Sequence, residues 1–188
     1  DGDVPTPTYV WTNLTTGVDY SSTSETLQLS GADTSSSDEI QCTVTVTDTD
    51  GGSASLSDSV TVENVLPTTP EISLSPDPAT TADALTVNID TASTDFEGGT
   101  VSYQYEWYLN NVLSSSHTTS TVPASATTKG ETWKVVVTPN DGLEDGASVE
   151  AEITISNTLP TISSISITPS GTTYNDDTLT CAVVATDP

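Results

Sequence analysis

The sequence predicts an all-β chain made of tandem antiparallel β-sandwiches, about seven strands in each. Three observations carry that prediction: strict apolar–polar alternation, turn residues spaced between the alternating runs, and a duplication that spans the chain. No window shows helical periodicity of useful length. Alternation with one apolar side fits antiparallel sheets that bury one face and wet the other.

The elements follow in order. Tyr9 and Trp11 open the first run, and Ile40, Cys42, Val44 and Val46 then alternate with Gln41, Thr43, Thr45 and Thr47. Ala54, Leu56, Val60 and Val62 continue the pattern, with Asp58 in an apolar slot. Shorter runs carry Ile72 and Leu74, then Leu85, Val87 and Ile89, then Tyr103, Tyr105 and Trp107. Trp133, Val135 and Val137 form another run. In the next, Ala147, Val149, Ala151, Ile153 and Ile155 alternate with Ser148, Glu150, Glu152 and Thr154. β-branched Thr suits the wet side of a pleated surface. Asp50-Gly51-Gly52, Asn110-Asn111, Lys129-Gly130 and Asn140-Asp141-Gly142 supply the turns.

The duplication can be traced residue by residue. Leu66-Pro67-Thr68 recurs as Leu159-Pro160-Thr161, and Ile72-Ser73-Leu74-Ser75-Pro76 as Ile165-Ser166-Ile167-Thr168-Pro169. Leu85-Thr86-Val87 recurs as Leu179-Thr180-Cys181. The match then resumes at the start of the chain. Tyr105-Glu106-Trp107 pairs with Tyr9-Val10-Trp11, and Val135-Val136-Val137-Thr138 with Val44-Thr45-Val46-Thr47. The expected organisation is therefore a complete domain over 66–158, flanked by two partial ones. Residues 1–65 are the C-terminal part of a domain begun in a preceding repeat. Residues 159–188 are the first two strands of one completed by 1–65 of the next. Joining Asp187-Pro188 to Asp1-Gly2-Asp3 makes a turn resembling Asp95-Phe96-Glu97-Gly98-Gly99. Proline-containing joints, Glu63-Asn64-Val65-Leu66-Pro67 and Ser156-Asn157-Thr158-Leu159-Pro160, should hold domains in semi-rigid orientation.

A formal charge of −25, from 27 acidic residues and two lysines, argues against nucleic acid and anionic membranes as partners and favours cations. About a third of the chain is Ser or Thr. Calcium, which takes six to eight oxygens, is the expected ion. Its candidate ligands are Asp187, Asp1 and Asp3 on one turn, Asp48 and Asp50 on another, and Asp95, Glu97 and Asp141 in the complete unit. The competing reading is that Asp and Gly stand there because turns favour them. Asn13-Leu14-Thr15 marks Asn13 as a glycosylation acceptor. His117, alone among Ser and Thr, reads as a surface residue and not a zinc ligand. No nucleophile-elbow, zinc-protease or phosphate-loop motif occurs, so the chain is not expected to be an enzyme.

Taken with Leu179-Thr180-Cys181, Tyr9-Val10-Trp11, Lys129-Gly130-Glu131 and Pro139-Asn140-Asp141-Gly142, the chain resembles the bacterial Ig-like tandem repeats of very large secreted surface proteins. PKD and cadherin-like repeats are related in general architecture. The resemblance implies immunoglobulin-like sandwiches in an extracellular, cell-surface filament or stalk, acting as spacer, adhesive or fibre element. It also implies a disulfide between Cys181 and Cys42 of successive repeats, beside Trp11 in the core. Two buried free thiols are the alternative. The complete unit departs from the family pattern, with Val87 and Trp133 at the cysteine positions and Trp107 retained as the core Trp.

Two further functions are weighed. The 188-residue chain can be a separate subunit polymerising by donor-strand complementation. It can also be a carbohydrate-binding accessory module of a secreted hydrolase, for which Tyr20 and Tyr108 are the candidate platform residues. The expected partners of the chain are identical repeats or subunits end to end, without membrane insertion.

Overall fold

A computed structural model describes residues 4–187. Asp1 and Asp3, two of the expected calcium ligands, and Pro188, in the same expected turn, lie outside the described residues. The chain is all-β and built largely from antiparallel ladders.

The first sheet is formed by β1 (Thr6–Asn13), β2 (Val18–Asp19), β3 (Glu39–Thr47) and β4 (Ser53–Thr61), in the order β2-β1-β3-β4. Its register sets Trp11 opposite Cys42, Cys42 opposite Asp58, and Val44 opposite Leu56. Every apolar position of the alternation thereby falls on one face, with Asp58 among them.

Seven strands follow between 71 and 154. They are β5 (Glu71–Ser75), β6 (Leu85–Thr91), β7 (Ser102–Leu109), β8 (Val112–Leu113), β9 (Thr121–Val122), β10 (Thr132–Asn140) and β11 (Val149–Thr154). They form two sheets, β5-β6-β9 and β11-β10-β7-β8. A 3-10 turn, Ala124–Ala126, interrupts the strand pattern. The last two strands, β12 (Thr161–Thr168) and β13 (Thr180–Thr186), pair only with each other among the described residues.

The chain divides into two compact units. One holds the residues through Thr69 together with Ser93–Tyr103 and Thr138–Ala147; the other holds Pro70–Ala92, Gln104–Val137 and Ser148 onward. The second unit contains the principal core, drawn from the β5-β6-β9 and β11-β10-β7-β8 sheets. Leu85, Trp107, Val122, Val135 and Val137 are fully buried, and Trp133, Ile153 and Ile155 nearly so. Alternation along β10 is complete, with Trp133, Val135, Val137 and Pro139 in and their neighbours partly wet. Trp107 and Trp133 meet edge to face, centroids 6.2 Å apart, the geometry that aromatic quadrupoles favour. Their ring nitrogens are satisfied: Trp107 Nε1 donates to the Thr119 carbonyl at 2.8 Å, and Trp133 Nε1 to Glu131 at 3.1 Å.

In the first unit the polar interior is unusual. Asn13 and Asp38 are both buried, and Asn13 Nδ2 donates to Asp38 Oδ2 at 2.8 Å. Asn13 Oδ1 in turn accepts from the amides of Thr15 and Thr16, and Asp38 from that of Ser35. Asn13 was expected as a glycosylation acceptor, but the nitrogen that would carry a sugar is shut inside and hydrogen-bonded. The residue closes a turn instead. Gly31 approaches the backbone of Phe96 and Glu97 so closely that a methyl group would collide with the Phe96 carbonyl.

His117 also departs from its surface assignment. It is half-buried, with its ring edge to face against Trp133 at 5.4 Å and Nδ1 hydrogen-bonded to Ser114 and Ser116. Trp11, expected in a core, is half-buried and donates to the Ser24 carbonyl.

Leu85 and Leu179 are matched by the duplication but differ in burial, 0% against 57% exposed. Leu85→Ala should cost about 2–5 kcal/mol in urea unfolding, by lost transfer and cavity terms. Leu179→Ala, measured on the dilute chain, should stay within about 0.5 kcal/mol.

Candidate functional site

Two arrangements of the described residues have functional potential: an acidic cavity in the first unit, and apolar sheet faces left open to solvent.

The cavity, about 200 Å³, is lined by Ser35, Ser36, Asn64, Asp95, Glu97, Gly99, Asp141 and Leu143. It unites three of the sequence-predicted acids, Asp95, Glu97 and Asp141, on the loops after β6 and β10. Each accepts from at least one backbone amide. Asp95 accepts from the amides of Glu97 and Gly99, the latter at 2.6 Å. Asp141 Oδ1 accepts from the amides of Leu143 and Glu144, both at 2.8 Å, while Oδ2 accepts from Asn64 Nδ2 at 2.9 Å. Asn64 Nδ2 also lies 3.3 Å from Glu144 Oε2. Glu97 Oε1 accepts from the Val65 amide at 3.1 Å, whereas its Oε2 is buried with no hydrogen-bond partner. A buried carboxylate oxygen left in that state is costly, and a cation would relieve it.

The Asn64 amide, then the Leu143 and Glu144 amides, hold the Asp141 carboxyl below the usual carboxylate range. A carboxyl so shifted supports folding above its unfolded value, 3.8, and loses that support as pH falls through the lower folded value.

The other expected ligands stand elsewhere. Asp48 caps its own turn, Oδ1 accepting from the amides of Asp50 and Gly52. Asp50 and Asp187 are exposed on the turn after β3 and just beyond β13, and neither lines the cavity. Among the described residues, no three His, Cys, Asp or Glu form a group able to hold a metal by themselves. Sequence reading missed Asn64, Ser35 and Ser36. Asn64 lies in a proline joint and the serines in an aperiodic loop, where no pattern signals convergence.

The open faces belong to β3–β4 and to β12–β13. Cys42, Val44, Val46, Ala54 and Leu56 line a shallow groove of about 420 Å³ with Asp58 at its edge. Leu56 is 81% exposed and Val60 63%. On the hairpin, Ile165, Ile167 and Val183 are likewise more than half exposed. Cys42 is half-buried, Cys181 exposed, and each is a free thiol. That exposure of Cys181 does not match the alternative of two buried thiols. Among the described residues no helix is long and apolar enough to cross a membrane.

No family model matches the chain, and no curated protein matches it.

Asn64→Ala removes the first of the contacts that depress Asp141. The Asp141 carboxyl midpoint, followed by carbon NMR, should rise toward 3.8. The variant should also lose less stability than wild type between pH 6 and pH 3.

Proposed function

We propose that this chain is a structural repeat of an extracellular filament or surface stalk, a spacer built from immunoglobulin-like sandwiches in tandem. The observation that carries the reading is the equivalence of its parts at the level of register. In β5–β6, Ile72 pairs with Ile89 and Leu74 with Val87; in β12–β13, Ile165 pairs with Val183 and Ile167 with Cys181. In β10–β11, Trp133 pairs with Ile153 and Val135 with Ala151; in β3–β4, Cys42 pairs with Asp58 and Val44 with Leu56. The flanking segments thus repeat the two halves of the complete sandwich. A polar, strongly acidic exterior keeps such a spacer solvated and resists nonspecific adhesion. The resemblance to secreted bacterial repeats supports a cell-surface location.

The same equivalence serves polymerisation of separate subunits, where strands donated by one chain complete the next. A carbohydrate-binding platform has less support. Trp107 and Trp133 are buried, and Tyr108 has its ring beneath the Lys134 ammonium at 5.3 Å and its hydroxyl donating to Glu106. No catalytic role is proposed for any residue.

The reading includes calcium as a stiffening ion at the acidic cavity. Glu97, with Asp141 and Asn64 beside it, would hold it, and backbone carbonyls and water would complete the shell. The support is the unpartnered Glu97 oxygen and the overall negative charge.

Three repeats expressed in tandem should give beaded rods in electron micrographs, with sandwiches roughly 35–40 Å long; collapsed globules would overturn the spacer reading. Calcium added after EDTA should raise the melting midpoint, and Glu97→Gln should remove that rise. An unchanged wild-type midpoint would exclude a tight structural ion.

A further inference from the structure

We propose that the open face of the β1–β3–β4 sheet is the seat for the β12–β13 hairpin of a second copy of this chain. The inference rests on the repeat reading and specifies the joint between copies.

The complete sandwich supplies the template. Ile155, the residue just after β11, corresponds to Val60 when the two ladders are continued by one residue, yet one is 1% exposed and the other 63%. Leu85 and Leu179 differ in the same sense, as do Val87, at 6%, and the exposed Cys181. The exposed Leu56, Ile165, Ile167 and Val183 correspond to Ala151, Ile72, Leu74 and Ile89, each half-buried where β5–β6 and β10–β11 are present together, so every open position is more covered in its counterpart. The two faces therefore have the shape and spacing of surfaces that close on each other.

Charge favours this occupant. A chain of net charge −25 repels its copies over most of its surface. The groove lining and the hairpin's paired residues 165, 167, 181 and 183 are uncharged except for Asp58. About a dozen side chains on the two faces, at roughly 100 Å² each, bring the buried area to the order of 1,200 Å², where stable interfaces begin.

Asp58 is the one misfit. It stands opposite Cys42, where the complete sandwich places Ile153, 8% exposed, opposite Trp133. Its Oδ1 accepts from the Ser59 amide at 3.0 Å. Closing the face around an ionised carboxylate weakens the joint, so Asp58 sets its affinity below that of a fully apolar seat.

The test is sedimentation of the full 188-residue chain from about 1 μM to about 1 mM. Wild type should associate progressively. Leu56→Glu spoils the seat and Ile167→Glu spoils the hairpin; both positions are exposed, so the variants should fold. Each alone should remain monomeric. Mixed, they should form a dimer and nothing larger, because one intact seat meets one intact hairpin. Asp58→Ile should tighten wild-type association by about tenfold or more. The inference falls if wild type stays monomeric throughout, if the mixture gives no dimer, or if both variants assemble like wild type. Rods from tandem repeats without association of single chains would overturn this joint and leave the repeat reading intact.

Discussion

A β-sheet with one apolar face is stable only when that face meets another, and this requirement organises the whole chain. In the second unit it is met: the Trp107–Trp133 edge-to-face pair, with Leu85, Val122, Val135 and Val137 around it, fills the space between two sheets. Both indole nitrogens reach an acceptor, so the large rings bury area without stranding a donor. His117 adds a third ring to the group, its edge on Trp133. A core with few large residues is held together by these rings in a sequence otherwise dominated by Ser and Thr.

The same requirement gives the flanking segments their meaning. β3–β4 and β12–β13 are regular, well-registered ladders, with backbone hydrogen bonds made and apolar faces exposed. Pairing of the backbone and burial of the face are separable: the first needs only a neighbouring strand, the second needs a second layer. Segments finished as ladders and unfinished as layers leave an apolar face open to solvent.

Acidic residues serve two ends. Most lie on wet strand faces and turns and set the surface charge. A smaller group, Asp48, Asp95 and Asp141, turns its carboxylates back onto amides two to four residues ahead, which shapes the loops after β3, β6 and β10. Asp38 does comparable work from inside, held by Asn13. A turn-forming aspartate and a calcium-binding aspartate look alike in sequence, because both favour glycine neighbours and alternating spacing. The distinction is drawn by where the carboxylate oxygens point. In the cavity of the first unit Glu97 keeps a buried oxygen with no hydrogen-bond partner.

The sequence by itself determined the strands, their inward residues, the turns and the duplication, because each is written in nearest-neighbour periodicity and local turn preference. The run of Trp133, Val135 and Val137 is legible as a buried face from alternation alone, and Asp58 as an intruder in one. Tertiary structure alone decided that Asn13 is buried against Asp38, that His117 lies on Trp133, and that Asn64 reaches Asp141 from 77 residues away. It also decided which equal faces are covered, since Leu85 and Leu179 share the same local pattern and differ only in whether a second sheet lies opposite. Local sequence encodes which side of a strand is apolar; what covers that side depends on long-range packing, which no local pattern records.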